Sequence, residues 1–271
     1  MIKQAIIPLA GLGTRLLPLT SILPKELLPI NGKPGLEYIL DECINAGIKE
    51  IIFIISNKKK IIKKYFYNDK FYKKIIKKKK DKRVKFEYNK ILKYKNKIKF
   101  IYQNKPLGTG DAILKTKNLI SGSHFLILFP DDLIIKKNCS KEMILLYKKF
   151  KCSIMASIKV KRQDVSRWGV FSIKKKLNRR NFIINDVIEK PSQKKAPSNN
   201  AVIGRYILPK DIFKKLEIQK KGVGGEIHIT DSIRELIKSD YNFIGHNFAG
   251  KYLDCGTMKG YINSSLEISK L

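Results

Sequence analysis

Residues 5–30 read AIIPLAGLGTRLLPLTSILPKELLPI, and the rest of the chain is organised around them. The apolar run Ile2 to Leu9 that opens into this stretch is Ile-rich and too short for an ordinary helix, so it reads as a buried strand ending at Ala10 and Gly11. A loop follows at once. Gly11 and Gly13 remove side chains where the backbone must come close to something, and their N–H groups can turn inward as an anion nest. Thr14 adds a hydroxyl, Arg15 a planar cationic fork and Lys25 a mobile point charge. Together they suit a polyphosphate better than a single carboxylate, and a triphosphate cradle is expected here.

Two other phosphate loops are excluded. A Walker A loop requires Gly-Lys-Ser or Gly-Lys-Thr, and neither tripeptide occurs in the chain. A dinucleotide fingerprint needs a third glycine where Leu16 stands, and Pro18 falls where its phosphate-facing helix should be running. AGLGTRLLPLT followed by PKELLPI instead resembles the opening signature of the sugar-1-phosphate nucleotidylyltransferases, and among them the bacterial UTP:glucose-1-phosphate uridylyltransferase branch. The resemblance implies an α/β, Rossmann-like nucleotidyltransferase fold: a mostly parallel mixed sheet with helices on both faces. It also implies UTP and glucose 1-phosphate as substrates, Mg²⁺ as cofactor, and substrate contacts from Ala10, Gly11, Gly13, Thr14 and Glu26 beside catalytic Arg15 and Lys25.

With 271 residues, 43% of them hydrophobic, the chain is long enough for one large α/β domain with a well-buried core or at most two small ones, and the resemblance implies a single nucleotidyltransferase catalytic domain over residues 1–271. No apolar run approaches the roughly 20 residues that cross a bilayer, and the N-terminus lacks the pattern of a signal peptide. A cytoplasmic protein without a membrane partner is expected. Cys43, Cys139, Cys152 and Cys255 form no C-x-x-C pair and have no His at ligand spacing, so they read as reduced thiols rather than a zinc site or disulfide framework.

The net charge of +34 raises nucleic acid as a partner. Lys58 to Lys99 alone holds 20 basic and three acidic residues, and over the whole chain Lys outnumbers Arg 49 to 8. Recognition of phosphates and base edges favours the Arg fork instead. The same stretches are crowded with Ile and Asn, which share A- and T-rich codons with Lys. Compositional drift accounts for the charge, and no specific nucleic-acid partner is expected.

Apolar strands and amphipathic helices then alternate. Gly35 to Ala46 places Leu36, Ile39, Leu40 and Cys43 on one helical face; Glu50 to Ser56 is a continuously apolar strand; the Lys-rich segment to about Lys97 reads as surface helices without visible chemistry. Lys97 to Gln103 is a strand leading into NKPLGTGDAI, a glycine-loosened loop before a helix at Ala112 to Lys117. By resemblance Gln103 and Gly108 face the uracil, and a side-chain amide is chemically fit for a pyrimidine edge.

His124 to Phe129 is a buried strand ending in Pro130, Asp131 and Asp132, at the end where open α/β sheets bind ligands. The resemblance gives Asp131 to Mg²⁺, with Asp254 of KYLDCG as second metal carboxylate. In RWGVF it brings the Gly169 backbone to the sugar; in DVIEKP it gives Glu189 to the glucose hydroxyls and Lys190 to the sugar phosphate. Neighbouring strand residues face opposite sides, so that last pair requires the backbone to bend at Pro191 or both groups to reach around one ligand. APSNNAVIGRY resembles the uridylyl branch, with Gly204, Arg205 and Tyr206 read as core and rim; Glu226 and Asp231 are candidates to order the sugar side.

The implied chemistry needs no Ser, Cys or His base, because the sugar phosphate is already an anion and pyrophosphate can leave without protonation. A homo-oligomer is expected, although the chain ends at Leu271, early for this family. The rivals are a thymidylyltransferase on the same fold and a nucleic-acid-associated protein without catalysis.

Overall fold

The computed structural model describes residues 1–67, 70–79 and 81–271. The Lys-rich segment read as helices therefore has Asn68, Asp69 and Lys80 outside the described residues. Nine strands form the main sheet: β1 (Gln4–Pro8), β2 (Glu50–Ile55), β3 (Ile98–Tyr102), β4 (His124–Leu128), β5 (Ser153–Lys159), β6 (Gly169–Lys176), β7 (Asn181–Glu189), β8 (Asn200–Pro209) and β9 (Phe243–Asn247). Their spatial order is β3-β2-β1-β4-β8-β5-β9-β7-β6. The first four are parallel, and β5 is parallel to β9; β8 runs antiparallel to both β4 and β5, and β7 to both β9 and β6. The sheet is thus mixed, with antiparallel pairs confined to its C-terminal part.

The β-strand period sorts the core into two layers. Ala5 and Ile7 on β1, and Leu9 just beyond it, face a cluster with α1 (Gly35–Asn45), α2 (Lys60–Tyr67), α4 (Lys82–Lys95) and α6 (Cys139–Phe150). Ile6 faces a second cluster with α5 (Thr109–Leu114), α7 (Ile212–Ile218) and α8 (Ile229–Lys238). Helices therefore cover both faces, as a buried parallel sheet requires. α3 (Lys70–Lys78) completes the Lys-rich helices, and α9 (Met258–Ser269) ends the chain. Among the described residues no helix is long and apolar enough to cross a membrane.

Two local differences from the sequence reading have packing causes. α5 begins at Thr109 rather than Ala112, because Gly110 belongs to its first turn: a Cβ there would lie 2.7 Å from the Ile227 side chain. The glycine permits close packing rather than loosening a loop. Leu9 lies beyond the last ladder residue of β1, yet its N–H still donates to Ile54 O at 2.7 Å.

Candidate active site

The carboxyl ends of β1, β2, β3 and β4 deliver Ala10–Thr14, Ser56–Lys59, Gln103 and Asp131 to one edge of the sheet, the ligand edge of open α/β folds. Two cavities meet there. The first, about 390 Å³, is lined by Ala10, Gly11, Gly13, Thr14, Gln103 and Gly108 together with Lys25, Glu26 and Asp131. Nothing lies within 4 Å of a Cβ built on Gly11, so this backbone faces open space. Gly108 has φ +102°, and a Cβ on it would lie 2.5 Å from Ile227 O, so both conformation and room demand glycine. Gln103 Nε2 donates to Gly108 O at 3.1 Å and to Asp111 at 2.7 Å. Two acceptors fix the amide orientation and leave Oε1 as its acceptor.

The second cavity, about 600 Å³, is lined by Arg15, Gly169, Glu189, Lys190, Asp131 and Asp254, with Arg167, Trp168 and Tyr252 beside them. Glu189 stands opposite Gly169 in the β7–β6 ladder, and a Cβ on Gly169 would lie 3.1 Å from Glu189 Oε2. The bend that puts Glu189 and Lys190 on one cavity is at Lys190 itself, with φ +44°, and not at Pro191 as expected. A non-glycine residue there costs on the order of 1–2 kcal/mol, and the Lys190 N–H is tied to Trp168 O at 3.0 Å.

Asp131 and Asp254, far apart in sequence, are joined by a two-stranded ribbon in which Asp132–Ile135 pairs with Lys251–Asp254, and by the Cys255 N–H donating to Asp131 O at 2.7 Å. A Cβ built on Gly256 would be 2.9 Å from Asp131 Oδ2, 3.1 Å from Asp254 Oδ1 and 3.2 Å from an Arg15 Nη. Three charged groups therefore surround one point. Lys25 Nζ sits 2.8 Å and Arg15 3.6 Å from Asp131, while Arg167 is 3.8 Å from Asp254. Burial pulls the Lys25 ammonium down, but the charges of Asp131 and Glu26 and the hydrogen bond to Asp131 together outweigh it and leave Lys25 above its ordinary value. Burial likewise pushes Asp131 up, and Lys25 brings it below the usual carboxylate range.

Neighbouring Asp132 is structural. Its carboxylate accepts from Gly204 N at 2.7 Å and Tyr252 Oη at 2.6 Å, and burial followed by the Asp131 charge pushes it up to about 6. Arg205, fully buried, donates to Glu42, Phe129 O, Gly204 O and Asp132 O, so it clamps the Phe129–Asp132 turn from below. The core reading of Gly204 and Arg205 holds, and it explains how the turn bearing Asp131 is kept in place. Cys255 packs, its thiol pushed up to about 12 by burial.

Other sites depart from expectation. Glu26 lines the first cavity, but its carboxylate is buried and held by Lys59 Nζ at 2.8 and 2.9 Å. Lys59 lies in the segment read as having no chemistry. Asp231 is on the outer side of α8 beside Gln219, away from the second cavity, and Glu226 lines the first cavity rather than the sugar side. Sequence reasoning also missed Arg167, Tyr252 and Thr109, the last lining both cavities; the only signal for Arg167 was its place in RWGVF.

The chain matches the nucleotidyl transferase family over residues 4–270. The chain belongs to that family. It is 37% identical to the UTP–glucose-1-phosphate uridylyltransferase 2 of Staphylococcus saprophyticus, covering 98% of this chain and 91% of that protein. Among solved structures it is similar to a UDP-glucose pyrophosphorylase complexed with UDP-glucose, with TM-score 0.88, 37% identity, and coverage of 100% of this chain and 99% of the other. It is also similar to a UTP-bound UGPase from Acinetobacter baumannii, with TM-score 0.89, 30% identity, and coverage of 99% and 93%. As a member of this nucleotidyltransferase family, the chain places its two cavities on either side of Asp131.

Proposed function

We propose that the protein makes UDP-glucose and pyrophosphate from UTP and glucose 1-phosphate. The observation that carries this is the pair of cavities meeting at Asp131, one walled by glycine backbone and Gln103, the other by Glu189 and Lys190. The relatives named for the same reaction support it. UTP occupies the first cavity: Gln103 Oε1 accepts from the uracil ring N–H, and the Gly11–Thr14 backbone with Arg15 and Lys25 cradles the triphosphate. Glucose 1-phosphate occupies the second, with Glu189 accepting from sugar hydroxyls and Lys190 holding the attacking phosphate in line with the α-phosphorus. Catalysis is positioning and relief of charge, and no side-chain base is required.

Asp131 and Asp254 fit Mg²⁺. Their oxygens crowd the same point beside Gly256, each already faced by a cation. Among the described residues no group of three or more His, Cys, Asp or Glu side chains that could hold a metal gathers anywhere, this site included, and a two-carboxylate site suits Mg²⁺, which characteristically takes one or two carboxylates and fills its shell with water and phosphate. When bound, Mg²⁺ supplies charge relief for the triphosphate and the leaving pyrophosphate. Lys25, bonded to Asp131 at 2.8 Å, would exchange that carboxylate for a phosphate oxygen when UTP binds.

The test is a panel of nucleoside triphosphates against sugar 1-phosphates with pyrophosphate detection. UTP with glucose 1-phosphate should give the highest kcat/KM, and preference for dTTP would overturn the uridylyl assignment. A homo-oligomer is part of the same proposal; light scattering at assay concentration showing a monomer would refute it.

A further inference from the structure

Lys59 follows β2 at the ligand edge, in a short 3-10 turn from Asn57 to Lys59. It is 7% exposed, and Glu26, its bidentate partner, is 3% exposed. Beyond Glu26 the next residue is Lys25, which bonds to Asp131 at 2.8 Å. The four side chains form an alternating series of charges: Lys59, Glu26, Lys25, Asp131. After Asp131, Glu26 is the carboxylate acting most on the Lys25 charge. Lys25, Glu26 and Asp131 also border one small void of about 10 Å³, room for roughly a single water.

A buried carboxylate without a partner is costly, and it recruits the nearest cation. For Glu26 that cation is either Lys59 or Lys25. We propose that Lys59 is a positioning residue for UTP binding: by satisfying Glu26, it keeps Lys25 free to leave Asp131 for the triphosphate instead of being drawn back into the core. This rests on the function proposed above. Lys59 itself lines neither cavity and acts only through Glu26 and Lys25. The sugar-phosphate side, served by Lys190, is independent of it.

The test compares Lys59→Met with Lys59→Met/Glu26→Gln. The single variant leaves Glu26 to capture Lys25, and KM for UTP should rise about tenfold or more while KM for glucose 1-phosphate stays within about twofold. The double variant removes the competing charge and should bring KM for UTP back to within about threefold of the parent. Should Lys59→Met fail to fold, Lys59→Gln carries the same expectation, since it offers Glu26 a hydrogen bond but no charge. Pyrophosphate binding by calorimetry, in parent and variants, reads the same contrast without turnover. An inactive parent would refute the reaction and leave Lys59 to be judged on that binding ratio. Unchanged UTP and pyrophosphate affinity in the single variant, or a double variant as impaired as the single, would overturn the role.

Discussion

The two cavities on either side of Asp131 are built by different means. The first is made where parallel strands end, from glycine backbone and one amide, so its ligand contacts are N–H and C=O groups brought close by missing side chains. The second lies beside the antiparallel part of the sheet, where a ladder pair, Gly169 with Glu189, and a left-handed Lys190 present charged and aromatic side chains. Backbone recognition tolerates wide change in side chains but almost none in glycine. Side-chain recognition is the reverse.

The largest expected effect tests what the cavities share. Asp131→Asn or Asp254→Asn should fold and lose on the order of 10²–10³ in kcat, measured by pyrophosphate release across a Mg²⁺ titration. If Asp254→Asn matched the parent at limiting Mg²⁺, the two halves would not share a metal through this residue. Next comes a pair that separates the halves. Lys190→Met should raise KM for glucose 1-phosphate by roughly tenfold with KM for UTP nearly unchanged, and Gly108→Ala should do the opposite. A Gly108→Ala enzyme with normal UTP affinity would mean that the 2.5 Å approach to Ile227 O is relieved without cost to the first cavity.

Arg205→Met probes the clamp beneath both. It leaves Glu42 buried without its cation and should cost roughly 3–5 kcal/mol of stability in denaturant titrations. A smaller effect is expected at Asp41, where burial pushes the carboxyl up but bonds from Lys33, Lys93 and Tyr94 hold it below its usual range. Its folded value is lowered, so its contribution is full above the unfolded value and is lost as pH falls through the folded one. Asp41→Asn should flatten that acid-side loss in thermal melts while leaving both KM values alone. The smallest effect is expected from replacing the exposed Lys73, Lys74, Lys77, Lys78 and Lys79 with Gln. Turnover should barely move, and a large loss with the fold intact would show that distant charge serves the cavities after all.

The first cavity was readable from the chain because its builders are neighbours in sequence: Ala10 to Thr14 with Lys25, then Gln103 with Gly108. Glycine spacing reports directly on a backbone that must approach a ligand. The second was readable only through resemblance, and its mechanics were not. The bend fell on Lys190 rather than Pro191 because the Trp168 carbonyl captures the Lys190 N–H from the next strand. Lys59 looked like one more surface lysine among 20 basic residues of its segment.

The sequence by itself determined the strand-and-helix alternation, the glycine loop and the residue types that meet phosphate, since those follow from local periodicity and chemistry. Only the tertiary structure decided which charges are paired. The ribbon carrying Asp254 to Asp131, Arg205 beneath the Asp131 turn, and Lys59 against Glu26 each join segments far apart in the chain. Burial then makes those pairings matter: a charge removed from water must find its partner wherever the packing puts it, and no spacing along the chain records that.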